Sequence, residues 1–439
     1  MTHRNVWTGR VRFPWASYLV GGAILGAGSA ASPVGAQTFD QASAANLVSV
    51  CAASDGPGAT IQTGSNLTAV CTVINNNAGG SIFSAIPSGT ANQGGGALTV
   101  EQRLQSVREA EEEKPTGSSG TDAFALDTRG RSDVAQLRIP PPGGSTPELA
   151  IDLGPGVGAF VSVGATALNH HNNRYEDGWE SQLPAITLGA DYRLADWMLL
   201  GLAFNYTYFD GTYDDGGGFD KHIFGPLLYA TFLPFERTFV DLVLGYARSE
   251  ARNNRLATAF NGGGQQAARG HTSADYGENL YSASALAGYD HPIGNVTVGP
   301  RLGLAFSHSQ VGSFEEDGDT GLELRYSSLN QTSVQSSLGL QASATYPMSW
   351  GVLVPQASAA WVHEYANDAR NIDARLVEAS PAPQFTFKRE QPARDWAVIG
   401  IGASALLPNG LQPFVQFATM QGNENFVSYG GTAGVRLGL

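Results

Sequence analysis

Few side chains of this sequence stand at the spacings that chemistry requires. The run GIGASA at residues 400–405 has the glycine pattern of a dinucleotide loop, but it lies in an alternating strand and opens no helix. His170 and His171 are adjacent, and adjacent side chains of a strand point to opposite faces, so they are poor joint metal ligands. No nucleophile elbow or Walker-type loop is present. The sequence therefore predicts no catalytic, cofactor-binding or metal-binding residue, and no enzyme.

Two acidic runs are candidates for weak cation binding. They are YDDGGGFD at residues 213–220 and FEEDGD at residues 314–319. Neither has the ligand spacing of an EF-hand loop. We therefore expect both runs to be solvated surface loops.

Cys51 and Cys71 are the two cysteines of the chain. No histidine cluster lies near them, which makes a zinc site a poor interpretation. In an exported chain, a Cys51–Cys71 disulfide is the expected state, and two free thiols or a metal pair are the alternatives.

The first residues have the layout of an export signal. Residues 4–12 carry three arginines, residues 18–31 form an apolar run, and small residues precede Gln37. This pattern predicts a signal peptide over residues 1–36, cut between Ala36 and Gln37, that engages the inner-membrane secretion machinery. An N-terminal membrane anchor is the alternative, but the apolar run is short for a spanning helix.

The mature N-terminal part divides into three segments. Residues 37–97 are rich in small and polar residues, and the runs NLVSVC and LTAVCTVI favour a small, β-rich, passenger-like segment. Residues 98–114 predict a helix, since Thr99 caps it and Gln102 follows at capping-box spacing. Residues 115–155 form a Pro/Gly-rich linker that separates this part from the rest.

From residue 156 onward one alternating pattern repeats. In residues 197–211 large apolar side chains alternate with smaller, more polar ones, which is the two-faced pattern of a strand. The chain has 55 glycines, 15% charged residues and an ordinary mean hydropathy of −0.13. Transmembrane β-barrels share this combination because their lipid-facing and lumen-facing residues average out. A net charge of −14 argues against nucleic acid as a partner.

The connections between these strands alternate in length. Six long polar connections (169–182, 210–221, 249–279, 309–332, 366–394, 421–424) alternate with five short turns, which together join twelve strands. Short turns at one rim and long loops at the other are typical of outer-membrane barrels, with the short turns in the periplasm. The alternative, a soluble sandwich, does not explain this alternation. We therefore predict an all-β fold, a twelve-stranded antiparallel transmembrane barrel over residues 156–439.

The strand pattern also predicts which side chains face inward. The charged residues on the smaller, polar face should line the pore and contact whatever occupies it; they are Asp191, Arg193, Asp241, Arg301, Glu364 and Arg436. In the closing strand, YGGTAGVRLGL, the apolar face should meet lipid; it includes Tyr429, Val435, Leu437 and Leu439.

Residues 156–439 resemble the autotransporter β-domain, the translocator of type V secretion. The resemblance is carried by LGADYRLADWMLLGLAFNYT, GFDKHIFGPLLYATF, FVDLVLGYAR, GVLVPQASAAWVHEYAND and GTAGVRLGL. It implies a barrel that is inserted by the outer-membrane assembly machinery and exports an N-terminal passenger. It also implies a pore helix and a last strand that acts as the assembly signal. This chain departs from the family by ending in Leu439 rather than an aromatic residue, and by placing its helix some forty residues before the first strand.

The expected function is export and display of the short N-terminal segment at the surface of a Gram-negative cell. The expected partners are the outer-membrane lipid bilayer, the barrel assembly machinery and periplasmic chaperones, and the expected state is a monomer. A barrel acting as a channel, with residues 37–150 in the periplasm, is the first alternative. An outer-membrane hydrolase is the second, although no nucleophile–base pair supports it.

Overall fold

A computed structural model of the chain describes the following residues: 47, 50–51, 60–61, 66–74, 156–172, 178–214, 216–260, 266–366, 368, 371–380, 384–389, 391–408 and 410–437. The predicted signal peptide with its cut between Ala36 and Gln37, the helix at 98–114, the linker at 115–155 and Leu439 lie outside these ranges.

The described elements are, in chain order, β1 (Thr60–Ile61), α1 (Asn66–Ile74), β2 (Val157–His170), β3 (Trp179–Ala195), β4 (Met198–Tyr213), β5 (Gly217–Phe232), β6 (Thr238–Phe260), β7 (Gln266–Tyr289), β8 (His291–Ile293), β9 (Val296–Val311), β10 (Phe314–Glu315), β11 (Leu324–Tyr326), β12 (Leu329–Ala344), β13 (Tyr346–Met348), β14 (Gly351–Glu364), β15 (Asn371–Leu376), β16 (Ala379–Ser380), β17 (Phe385–Lys388), β18 (Asp395–Leu406), β19 (Leu411–Gln421) and β20 (Phe426–Leu437).

The long strands form a closed barrel. Twelve of the described strands (β2–β7, β9, β12, β14, β18, β19 and β20) pair antiparallel in a ring. The ring closes where β2 meets β20, from Ala159 opposite Leu437 to His170 opposite Phe426. Closure leaves the ring without an edge, so its backbone groups are paired where lipid offers no partner. The prediction of a twelve-stranded antiparallel barrel is confirmed.

The two faces of the barrel differ as the alternation predicts. Large apolar side chains cover the outer face, and Leu202, Leu304 and Ile401 are each between 58% and 60% exposed. Their neighbours in sequence point inward, and Ala203 is only 3% exposed. An apolar outer face of this kind matches the hydrocarbon of a bilayer. None of the helices within the described ranges has the length and apolar character needed to cross a membrane.

Strands β6 and β7 extend well beyond a membrane. They contain 23 and 24 residues, whereas a tilted strand needs about 10 to cross the bilayer. The prediction of a long polar loop over residues 249–279 is wrong for most of this stretch, which is paired β-structure. The alternation continues through it, because Ala257 and Ala259 are fully buried on one face. The polar residues of the other face hide that pattern in the sequence.

Two of the other long connections are also folded. Strands β10, β11, β15 and β17 form a four-stranded sheet from residues 309–332 and 366–394, where the sequence predicts polar loops. The long-loop rim of the barrel therefore carries tertiary structure of its own.

The N-terminal segment is helical where its residue types favour β-structure. LTAVCTVI lies in α1, and Leu47, Val50 and Cys51 of the run NLVSVC are also helical. Leu67, Val70 and Cys71 repeat the same spacing of i, i+3 and i+4, which places three side chains on one face of a helix. These apolar faces are buried, so helical periodicity prevails over the β-propensity of single residues.

Candidate functional site: the barrel lumen and its long-loop rim

One half of the lumen, built from β2–β6, is packed with apolar side chains. The buried cluster there consists of Phe160, Leu199, Ala203, Leu227, Tyr229 and Val243. Two of its rings lie flat against glycines of a neighbouring strand, Phe160 against Gly189 and Tyr229 against Gly201. A Cβ atom at either glycine would overlap the ring, so glycine is required at both positions.

The opposite half of the lumen is small, polar and uncharged over most of its length. A cavity of about 350 Å³ lies against β7, β9, β12, β14, β18 and β19. Its polar lining includes Gln335, Ser337, Gln341, Gln356, Ser358 and Gln416, together with the charged Arg301. The Gln416 Oε1 atom is buried and accepts no hydrogen bond from any described residue. A wall of amides and hydroxyls can donate and accept hydrogen bonds along a peptide without fixing it by charge.

Two of the predicted pore-lining acids are held by hydroxyl groups on neighbouring strands. Asp191 and Asp241 are buried inside the barrel, near its short-turn rim. The Tyr229 hydroxyl donates to Asp191 Oδ2 at 2.9 Å, and the Thr231 hydroxyl donates to Asp241 Oδ1 at 2.8 Å. Both acids are therefore engaged by the barrel wall itself.

Arg301 has an acidic partner that the strand pattern does not indicate. Its guanidinium forms an ion pair with Asp290 and donates to Gln341 Oε1 at 3.1 Å. It also stacks on Phe239, with 4.8 Å between the guanidinium carbon and the ring centre. The sequence does not predict that Asp290 faces the lumen, because this residue follows the end of β7, where alternation gives no signal.

The remaining predicted pore residues are spread along the barrel. Arg193 and Arg436 lie near the short-turn rim, where Arg436 is buried over the Phe414 ring at 4.0 Å. Glu364 lies apart from them at the long-loop end of β14. It accepts hydrogen bonds from Ser333 Oγ at 2.5 Å and from the amides of Val334 and Ala366, each at 2.9 Å. The contact of all six side chains with a threaded segment stays a prediction.

The described residues that are predicted to belong to the assembly signal lie on the outer face of the last strand. Tyr429 is 41% exposed, and Val435 and Leu437 share its face with partial exposure. Leu439 lies outside the described residues.

Beyond the lumen, the long-loop rim holds the largest buried apolar cluster of the described structure, which we term the loop core. Its members come from the N-terminal segment and from three long connections: Leu47, Val50, Cys51, Leu67, Val70, Cys71, Ala257, Ala259, Ala274, Phe314, Leu322, Leu324, Tyr326, Ile372, Ala374, Leu376 and Ala379. Cys51 and Cys71 form a disulfide within it, with 5.0 Å between their Cα atoms, the pairing that the sequence predicts.

A buried ion pair supports the loop core. Arg255 Nε donates to Glu316 Oε1 at 2.9 Å, and a second guanidinium nitrogen contacts the other carboxylate oxygen. The Tyr326 hydroxyl and the Leu324 amide also donate to this carboxylate, at 3.2 and 2.9 Å. The expectation that the two acidic runs are solvated loops is wrong in part. In residues 314–319 the Glu316 side chain is 2% exposed, and in residues 213–220 Tyr213 and Phe219 are buried in β4 and β5. The arginine partner of Glu316 compensates the cost of burying its charge.

The ionisation of this cluster follows from its burial. Burial opposes the charge of Arg255, but the adjacent Glu316 carboxylate prevails and raises the pKa of the guanidinium. Burial, followed by the same carboxylate, raises the pKa of the Tyr326 hydroxyl well above its ordinary value. Arg255 is therefore charged and Tyr326 neutral at physiological pH. Within the described residues, no group of three or more His, Cys, Asp or Glu side chains could hold a metal ion.

A second buried ion pair lies inside the barrel below this rim. Lys221 Nζ lies 3.4 Å from Glu278 Oε2, and both side chains are at most 2% exposed. The Ser309 hydroxyl also donates to Glu278. Neither residue of the pair is among the predicted pore residues, although Lys221, Glu278 and Ser309 all follow the inward alternation of β5, β7 and β9.

The N-terminal segment is tied to the rim by polar contacts as well. The Leu67 amide, in the first turn of α1, donates to Glu378 Oε2 at 2.6 Å. The strand β1 pairs antiparallel with β16, with Thr60 opposite Ser380 and Ile61 opposite Ala379. The described residues between Leu47 and Ile74 therefore contact the rim opposite to the short turns.

A closed barrel with an apolar outer face, a polar lumen wall and a folded long-loop rim defines a transmembrane β-barrel of the outer-membrane class. The profile of the family described as "Autotransporter beta-domain" matches residues 159–418, more than half of the chain. The chain belongs to this family, and its fold implies a location in the outer membrane of a Gram-negative bacterium.

A solved translocator domain shares the fold. The translocator domain of autotransporter NalP from Neisseria meningitidis is 13% identical, with a TM-score of 0.52 over 78% of this chain and 95% of that chain. The beta domain of the Bordetella autotransporter BrkA is 16% identical, with a TM-score of 0.49 over 65% of this chain and 100% of that chain. No curated protein matches the sequence.

Proposed function

We propose that this protein is an outer-membrane translocator that exports its own N-terminal segment and displays it at the cell surface. The observation that carries the proposal is the position of residues 47–74 on the long-loop rim. In outer-membrane barrels the long loops face outward and the short turns face the periplasm.

The course of the chain adds a topological argument. The first barrel strand begins at the short-turn rim, where the Gly156 carbonyl accepts a hydrogen bond from the Arg193 amide at 2.9 Å. The described N-terminal residues lie at the opposite, long-loop rim. A translocated chain would reach that rim through the lumen, because lipid outside the barrel offers no partners for a crossing backbone, whereas the lumen wall does.

The lumen wall is suited to such passage. Its amide and hydroxyl side chains, such as Gln335 and Ser358, offer weak and replaceable hydrogen bonds. The buried charges near the short-turn rim are engaged within the wall, so they present no strong trap to a moving segment. Export then needs no bond chemistry, and we assign the protein no enzymatic activity.

The alternative of a channel with a periplasmic N-terminal segment is less well supported. It requires residues 47–74 to lie at the short-turn rim, whereas Leu67 and Val70 are buried among the long loops. We further propose a monomer that contacts the bilayer, the barrel assembly machinery and periplasmic chaperones during its biogenesis, because one chain supplies a closed ring.

Single added cysteines test the proposed display. Ala69 in α1, Gln266 at the long-loop rim and Glu236 in a short turn are all exposed, and each would be replaced by cysteine. We expect a membrane-impermeant maleimide to label Ala69→Cys and Gln266→Cys on intact cells, and Glu236→Cys only after the outer membrane is permeabilised. Labelling of Ala69→Cys only after permeabilisation would overturn the proposal. Non-reducing gels check that the Cys51–Cys71 disulfide is retained.

A further inference from the structure

The surface of the long loops is shaped to bind one segment of this chain. The described residues between Leu47 and Ile74, here the N-terminal cap, lie on three connections: the β6–β7 extension, residues 309–332 and residues 366–394. We propose that these connections retain the cap as a non-covalent subunit, so that it stays on the cell when the chain is cut behind residue 74. This inference rests on the proposed export, since the cap must first reach the surface.

The apolar side chains of the cap are almost fully buried against the loops. Leu47, Val50, Cys51 and Leu67 are each at most 1% exposed. They have no other described core to enter, because their buried neighbours all belong to the loop core. Release of the cap would expose these side chains, together with Ile372 and Leu376 of β15, to water. That exposure opposes dissociation.

A loop carboxylate satisfies the start of the helix. The first amides of a helix have no partner within it, and they carry a partial positive charge. In α1 the Leu67 amide donates to Glu378 at 2.6 Å, from a residue 311 positions away in sequence. The pairing of β1 with β16 begins at the adjacent Ala379. Polar groups of the cap backbone therefore also depend on the loops.

The loops approach the cap so closely that a glycine is required. Gly321 has a φ of +76°, and a Cβ atom placed on it would lie 2.6 Å from the carbonyl carbon of Asn66 and 2.8 Å from the Cα of Leu67. No side chain fits between these two backbones. Gly321 thus allows the loop to seat the first turn of α1.

The disulfide makes the cap a single body. It joins two residues 20 positions apart, each next to a buried valine at the same spacing. Fixing the two helical turns together reduces the freedom that binding must remove. A cap held in this way presents a preformed apolar face, which favours retention even after its covalent link is lost.

The test is to cut the link and locate the cap. An epitope tag follows Gln37, and a site for a specific protease is inserted between Gly79 and Gly80. The protease is added to intact cells, and the tag is measured in the cell pellet and in the medium. We expect full cleavage with the tag remaining in the pellet, and recovery of the barrel on anti-tag resin when the purified protein is cut in detergent.

A matched pair of variants tests the loop surface. Gly321→Ala places a methyl group against the helix, whereas Gly422→Ala has the same backbone requirement, with a φ of +77°, and no atom within 4 Å. After cleavage, we expect Gly321→Ala to release at least about tenfold more tag than the unsubstituted chain, which corresponds to a free-energy difference of about 1.4 kcal/mol. Gly422→Ala should release no more than the unsubstituted chain.

The outcomes separate the two proposals. Protection of the tag until the outer membrane is breached would overturn export. Cleavage on intact cells followed by release from the unsubstituted chain would overturn retention while export stands. Equal release by Gly321→Ala and Gly422→Ala would also overturn the assigned surface, since backbone strain alone would then account for the loss.

Discussion

Two regions of this barrel, the long-loop rim and the interior of the lumen, are built on opposite principles. At the long-loop rim, the loop core buries apolar side chains from four separate stretches of chain around one ion pair, Arg255–Glu316. Deeper in the lumen, one wall consists of glutamines, serines and small residues around a cavity of about 350 Å³. The first arrangement specifies a single partner, whereas the second offers only neutral hydrogen-bonding groups along much of its wall. If the protein exports its N-terminal segment as we propose, holding that segment and passing it through the barrel are tasks of two separate regions.

The largest expected effect comes from the ion pair of the loop core. Arg255→Met leaves Glu316 buried without its partner, which should destabilise the loop core by about 3–5 kcal/mol. Arg252→Met is the control, since Arg252 lies on the same strand as Arg255 but forms an exposed ion pair. Its partner is Asp275 on β7, and the two side chains are 64% and 72% exposed. Limited proteolysis in urea should detect loss of the cap and loops in Arg255→Met alone. Equal protease sensitivity of both variants would show that the buried ion pair does not stabilise the loop core.

A truncation within the cap should have the next largest effect. Leu67→Ala removes a fully buried side chain from the loop core and should cost about 2–4 kcal/mol. Ala69→Ser, on the exposed face of the same helix, should change little. Retention of the tagged cap after cleavage of the link measures both variants. Retention of Leu67→Ala at the level of Ala69→Ser would mean that the helix is not seated as described.

A change in the lumen should act on the barrel and leave the cap bound. Gly201→Ala forces the Tyr229 ring to shift and should destabilise the barrel by about 1–3 kcal/mol. At Gly431 the nearest atom to an added Cβ lies 3.9 Å away, so Gly431→Ala is a matched control. The temperature of the gel-mobility shift between folded and unfolded barrel reports the difference. A loss of cap retention in Gly201→Ala would contradict the separation of the two regions.

Alkaline pH should have the smallest effect of the four changes, and it should weaken the loop core. The raised pKa of Tyr326 means that the folded loop core favours the neutral hydroxyl. Its contribution is fully present below the ordinary tyrosine pKa of about 10, and it is lost as the pH rises above that value. At pH 11 the expected loss is about 1.4 kcal/mol. Cap retention between pH 8 and pH 11 measures it. Tyr326→Phe should reduce the dependence and leave the part due to Tyr276, whose pKa is also raised by burial.

The barrel can be predicted from the sequence because it is specified locally. Alternation of two residues and the lengths of the connections identify twelve strands without any knowledge of distant contacts. The disulfide follows from the count of two cysteines in an exported chain. By contrast, Arg255 and Glu316 lie 61 positions apart, and no pattern in the sequence near either residue predicts that they form an ion pair.

The helix of the cap has a signal in the sequence, but a weak one. The repeat NLxxVC at residues 46–51 and 66–71 places its apolar residues at helical spacing. Valine and isoleucine favour a strand at the same positions, and six residues are too few for either period to dominate. Burial against the loops, which the sequence does not display, decides the outcome.

Hydrogen exchange on the purified protein tests most directly whether the cap and the long loops fold as one core. We expect the α1 amides from Leu67 onward to exchange as slowly as those of β11 and β15. We expect Gly321→Ala to speed the exchange of the α1 amides while the barrel strands stay protected. Exchange of the α1 amides at the rate of an unstructured peptide, with β11 and β15 fully protected, would contradict a common core.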